Sequence, residues 1–124
     1  GANIEMLEEV GDDNFFLFGL DANQVAQARI NYQPQHIVEH STALNGVMSM
    51  LKSGHFNLVE PGIFNDIIAS IIDPNDQWMT AADFDSYCLA QEQVAKTYLD
   101  QDSWQKISIR NTATNKQTLI YDLR

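Results

Sequence analysis

Asn14-Phe15-Phe16-Leu17-Phe18-Gly19 decides how the rest of the chain is read. The run carries no charge, is dominated by phenylalanine and stops at a glycine. It is too short for a stable helix, and aromatic side chains favour a pleated, buried backbone. It therefore reads as one short strand. Everything around it reads as helix. Residues 3–10 form a short acidic helix that ends at Gly11.

Behind the aromatic run, Asp21 and Gln24 make a capping box for a helix over about 22–30. Pro34 suits the first turn of the next helix. That helix carries Ile37, Ser41, Leu44, Val47, Met48 and Leu51 on one face and ends at Gly54. Pro61 opens another helix, with Ile63, Phe64, Ile67, Ile68, Ile71 and Ile72 as its apolar face and Asp73-Pro74 as its stop. Thr80 and Asp83 form a second capping box, and the helix behind them runs to about Leu99 with Phe84, Tyr87, Cys88, Gln91, Ala95 and Tyr98 on one face. Asp102 and Gln105 start the last helix, which carries Trp104 and Ile107. Leu119-Ile120-Tyr121 fits either a strand or a helix. The sequence predicts a mostly α chain with one short aromatic strand. A lone buried strand leaves its backbone N–H and C=O groups unpaired. The pattern is therefore that of a part of a larger α/β domain.

Composition narrows the function. The chain has 124 residues, of which 44% are hydrophobic, with 6 Gly and 3 Pro. That suits one folded unit and argues against a disordered linker. Lys and Arg total 7 against 17 Asp and Glu, a formal charge of −10. Nucleic-acid phosphates and anionic lipid repel such a chain, so nucleic acid is not an expected partner. No apolar run has the ~18 residues a membrane span needs, so no membrane is expected. The single cysteine, Cys88, closes no disulfide within the chain. With no signal-like opening, the expected location is cytoplasmic.

Four groups of residues could carry chemistry. His36-Ile37-Val38-Glu39-His40 matches the H-x-x-E-H pattern of some zinc peptidases, with His36 and His40 on one helical face. A third protein ligand is required, and His55 is the only other histidine. The plain alternative is two ordinary histidines on a helix, with His40 bordering the apolar stripe. Glu5, Glu8 and Glu9 read either as an acid/base or cation cluster or as an acidic first turn favoured by the helix dipole, and the second reading is preferred. Asp73-Pro74-Asn75-Asp76-Gln77 fails as a calcium loop, because a proline follows the first acid and Phe84 stands where a glutamate belongs. Cys88 falls on an apolar helical face, which points to a buried, inert thiol. Trp78, Trp104 and Tyr98 read as core anchors, and Lys52 as a cation favoured at a helix C-terminus. No catalytic, cofactor-binding or metal-ligating residue is assigned from these patterns.

The opening Gly1-Ala2-Asn3-Ile4-Glu5-Met6, Glu8-Glu9, Gly11, Asn14-Phe15-Phe16 and Phe18-Gly19 resembles a segment of the α-glucan phosphorylases, the glycogen, starch and maltodextrin enzymes. The likeness continues through Tyr32, Ser53-Gly54, Phe56, Pro61, Phe64 and Asp66-Ile67. It then takes in Ala82-Asp83-Phe84, Tyr87, Gln91-Glu92, Val94, Trp104 and Ile109-Arg110-Asn111, and ends at Ala113-Thr114. It covers about residues 1–114.

The resemblance implies a C-terminal fragment of the second, cofactor-bearing domain of a two-domain Rossmann-like enzyme. Such enzymes transfer glucose from an α-1,4-glucan to phosphate with pyridoxal phosphate held on a lysine. That lysine belongs to an Asn-Met-Lys-type motif that precedes the position matching Gly1 and is absent here. The phosphate- and glucose-binding residues precede it too. The resemblance therefore implies no catalytic residue, no cofactor in this chain and no metal. It makes residues 1–114 scaffold and 115–124 a divergent or truncated tail. The expected partners are the rest of the phosphorylase domain, or a second copy through the uncovered apolar face. Glucan would be met only through the parent enzyme. The other reading is a stand-alone acidic helical interaction module derived from a phosphorylase.

Overall fold

The structure, a computed structural model, describes residues 2–121, with side chains for 3–114. Its seven α-helices are α1 (Ala2–Val10), α2 (Ala22–Ala28), α3 (Pro34–His40), α4 (Thr42–Lys52), α5 (Asn65–Ile71), α6 (Thr80–Leu99) and α7 (Gln101–Tyr121). Short 3-10 turns occupy Asp12–Asn14 and Arg29–Asn31. Among the described residues there is no strand, which corrects the expected aromatic strand at Asn14–Gly19. Asn14 closes a 3-10 turn instead, and Phe15 after it is extended, at φ −143° and ψ 140°. The physical reason is the one the sequence raised. An extended segment becomes a strand only with a hydrogen-bonded neighbour. The candidate neighbour, Leu119–Tyr121, is helical. None of the described helices is long and apolar enough to cross a membrane.

The chain divides into two compact units. One comprises Gly1–Phe18 with Cys88–Arg124, the other Gly19–Tyr87. In the first unit α1 packs against α7. Val10 and Ala90 are its buried apolar residues among those described. Gly11 ends α1 at φ 78° and ψ 155°, a combination that glycine tolerates and other residues resist. Trp104 stacks on Phe16 at 6.4 Å, and Tyr98 meets the Trp104 edge at 5.2 Å. Asp100, rather than the expected Asp102, caps α7: its carboxylate accepts from the Ser103 amide at 3.2 Å and the Ser103 hydroxyl at 2.6 Å. These bonds, the hydroxyl's first, hold the Asp100 carboxyl below its usual range. The tail assigned to 115–124 continues α7 as far as Tyr121, and 122–124 lie outside the described residues.

The second unit holds the larger core. Tyr32, Val38, Leu44, Met48, Met79 and Ala81 are buried together, with Ile37, Leu51, Ile68, Ile71, Ile72 and Phe84 packed around them. Each large apolar side chain buried there contributes about 1.5–3 kcal/mol. The Asp21–Gln24 capping box forms as expected, with Asp21 Oδ1 2.8 Å from both the Asn23 and Gln24 amides. The expected single helix from Pro34 to Gly54 is two. Ser41 is extended at φ −88° and ψ 112° and accepts the Leu44 amide at 3.0 Å, so it restarts the helix as a cap. The helix expected from Pro61 begins only at Asn65. Pro61-Gly62 forms a turn closed by Ile63 N–H to Glu60 C=O, with Gly62 at φ 85°.

Candidate functional site

The residues that carry the phosphorylase resemblance are tied to the chain's own backbone and rings. In the second unit, Gly19 donates its amide to Ser86 Oγ at 2.9 Å, and Leu20 donates to Asp83 Oδ1 at 3.0 Å. Gly19 holds φ +88°. A Cβ there would lie 2.9 Å from the Asp83 carboxylate. The expected Thr80–Asp83 box is replaced: Asp76 Oδ2 accepts the Thr80 amide at 2.8 Å, which frees the Asp83 carboxylate for Leu20. Ser41 Oγ donates to Asp85 of the same helix α6, which joins the α3–α4 break to the start of α6. In the first unit, Asn111 Nδ2 points to the Asn14 carbonyl at 3.4 Å, and Asn14 Nδ2 donates to the Val10 carbonyl at 2.7 Å.

The loop before α6 is a compact electrostatic knot. Burial would raise the Asp76 carboxyl, but the Thr80 and Trp78 amides, the Thr80 hydroxyl and Arg29 outweigh it and hold it below the usual range. Asp73 Oδ1 accepts the Asn75 amide at 2.8 Å. The acids of Asp73–Gln77 thus bind their own loop and the start of α6. Tyr32 is buried beside α6 and its hydroxyl has no hydrogen-bond partner. Burial raises its pKa, the Ala81 and Ala82 amides oppose that without closing a bond, and Asp76 and Asp83 add to the rise. Met79, 1% exposed, holds φ 52°, a strained conformation for a non-glycine residue. No sequence signal announces it.

The other candidates sit as follows. His36 and His40 stack on α3 with ring centroids 4.0 Å apart. His55 lies in the loop after α4, edge-on to Phe56 at 4.7 Å. Among the described residues no group of three His, Cys, Asp or Glu side chains is placed to hold a metal ion. Glu5, Glu8 and Glu9 are all exposed on α1. Cys88 is half-buried on α6. Trp78 is 82% exposed and Tyr98 54%, which corrects their reading as core anchors; Trp104 does pack, on Phe16. Trp78 stands outside because its loop turns on Asp76, whose Oδ1 accepts the Trp78 amide at 2.9 Å. On α6 the expected apolar face is also off: Ala81 and Ala90 are buried while Tyr87 is 41% exposed.

The second unit has an open cleft of about 580 Å³ between α4 and α5, lined by Leu51, Lys52, Asn57, Phe64, Ile68 and Ile72 among others. Pyridoxal phosphate would need a lysine for its aldehyde and several donors for its phosphate. Lys52 is the one cation of this lining, with Ser53, Asn57 and Asn65 as its side-chain donors. The buried polar atom left without a partner there is Asn57 Oδ1, an acceptor, and a phosphate also presents acceptors. The orphaned Asn57 acceptor therefore gains no partner from a phosphate.

Comparison with known proteins points to one family. A family described as carbohydrate phosphorylase matches residues 1–119. Glycogen phosphorylase of Chlamydia pneumoniae is 41% identical over 113 residues, 91% of this chain and 14% of the relative. Glycogen phosphorylase of Synechocystis is 37% identical over 114 residues, 91% of this chain and 13% of the relative. The muscle form of Homo sapiens is 34% identical over 116 residues, 93% of this chain and 14% of the relative. The chain thus spans about one-seventh of the length of the relatives it matches. With nearly its whole length matched to one family, the chain belongs to the carbohydrate phosphorylases.

Proposed function

We propose that this chain is a scaffold segment of a glucan phosphorylase and carries none of the catalytic machinery. The parent activity would be phosphorolysis of α-1,4-glucan to glucose 1-phosphate, with pyridoxal phosphate held elsewhere in the parent. The observation that supports this is where the family-like residues are engaged. Asn14, Phe16, Trp104 and Asn111 hold the first unit together; Gly19 and Asp83 pin the start of the second. Those groups are engaged with their own unit, and the first four also border one open cleft of about 340 Å³ whose lining carries no titratable side chain. In the parent the segment would support the cofactor-bearing domain.

The test is direct. The purified chain, mixed with maltooligosaccharide, phosphate and pyridoxal phosphate, is expected to form no glucose 1-phosphate and to show no stoichiometric Schiff-base absorbance. Product formation, or one bound cofactor per chain, would sink the proposal.

The exposed apolar side chains favour a second reading, an interaction module derived from a phosphorylase. Leu58 is 87% exposed and Val59 97%. Surface of that kind suits a partner or a second copy. The two readings differ in the size of the native polypeptide.

A further inference from the structure

We propose that His36 and His40 form a two-point chelate for a divalent transition-metal ion, nickel or zinc. The inference does not rest on the phosphorylase reading. Residues four apart on a helix stand one above the other. Here the two rings stack at 4.0 Å between centroids, 26° from parallel. His40 Nδ1 lies 2.8 Å from the His36 carbonyl oxygen. A carbonyl only accepts, so Nδ1 carries the proton and Nε2 of the neutral ring keeps its lone pair. A backbone carbonyl orienting a ligating imidazole through its other nitrogen is the usual supporting contact at metal sites.

Both side chains are exposed, so an ion reaches them without unfolding. Exposed rings change rotamer within nanoseconds, so the His36 ring can swing its lone pair toward His40 Nε2 while His40 keeps its bond to the carbonyl. Imidazole donors favour nickel and zinc over magnesium or calcium, which prefer oxygen. The net charge of −10 draws cations toward the surface. Among the described residues no third ligand completes the set, so water fills the remaining positions. The site is an open chelate, unlike a closed structural zinc centre or a three-ligand catalytic one.

The experiment is a calorimetric titration of the full chain with nickel in a non-coordinating buffer. One equivalent is expected to bind. His36→Gln and His40→Gln are each expected to weaken it at least tenfold, while His55→Gln leaves it unchanged. As a second readout on the unsubstituted chain, zinc is expected to shift the imidazole NMR signals of His36 and His40 together and to leave those of His55 in place. No binding, a loss below tenfold in either variant, an equal loss in His55→Gln, or unmoved His36 and His40 signals overturns the proposal.

Discussion

Met48→Ala is expected to destabilise the second unit by about 2–5 kcal/mol, the usual cost of truncating a large buried side chain without collapse of the site. Met48 is 2% exposed and sits on α4 in one cluster with Leu44, Met79 and Tyr32. Removing its thioether takes away transfer energy and leaves a cavity among neighbours on α3, α4 and α6. The thermal midpoint should fall by on the order of 10 °C. Val47→Ala is the control on the same helix, because Val47 is 37% exposed. It should cost under about 1 kcal/mol. Urea unfolding of the two variants measures the difference. Equal midpoints for both would mean that the α4 face is packed differently from the cluster described.

Gly19→Ala is expected to cost about 2–6 kcal/mol, from two sources of about 1–3 kcal/mol each. The first is backbone strain, since φ +88° is a conformation that L residues resist. The second is the Asp83 carboxylate, 2.9 Å from where the new methyl would sit. That carboxylate accepts the Leu20 amide at 3.0 Å, so it yields only by weakening the bond. Gly46→Ala is the opposite case. Gly46 lies inside α4 with nothing within 4 Å of an added methyl, and the change should stabilise by roughly 0.5–1 kcal/mol. A double-mutant cycle separates the two costs at Gly19. In an Asp83→Ala background the clash is gone, and Gly19→Ala should cost only the strain. An unchanged cost in that background would show that Asp83 does not hold the turn.

What was legible in the sequence follows from the range of the forces involved. Local chemistry read correctly where side chain and backbone partner are neighbours. Asp21 and Gln24 make their capping box, Gly11 ends α1, and Pro34 opens α3. The misreadings involve partners far along the chain or competition between caps. Asp83 looked like half of a capping box with Thr80, but Asp76 takes the Thr80 amide and Asp83 reaches back to Leu20. Ser41 looked like one more position on a helical face, but it bonds Asp85 and restarts the helix. Pro61-Gly62 held a turn signal that the isoleucine spacing overrode. Propensity alone favours a strand at Asn14–Gly19, and propensity does not supply the neighbouring strand that a sheet requires. The family was legible because its signal lies in residue identities along nearly the whole chain, not in periodicity. The contacts of Gly19, Asp83 and Asn111 were not legible, because their partners lie 63 to 97 residues away along the chain.

The central claim, that this is a segment of a larger phosphorylase, is tested most directly by the mass of the native polypeptide. An antibody raised against the chain would be used on a lysate of the source cells. The account predicts a single band several times heavier than 14.0 kDa, in keeping with relatives of which the chain spans 14%. A single band near 14.0 kDa would contradict it and make the free chain, with its exposed Leu58 and Val59, the functional unit.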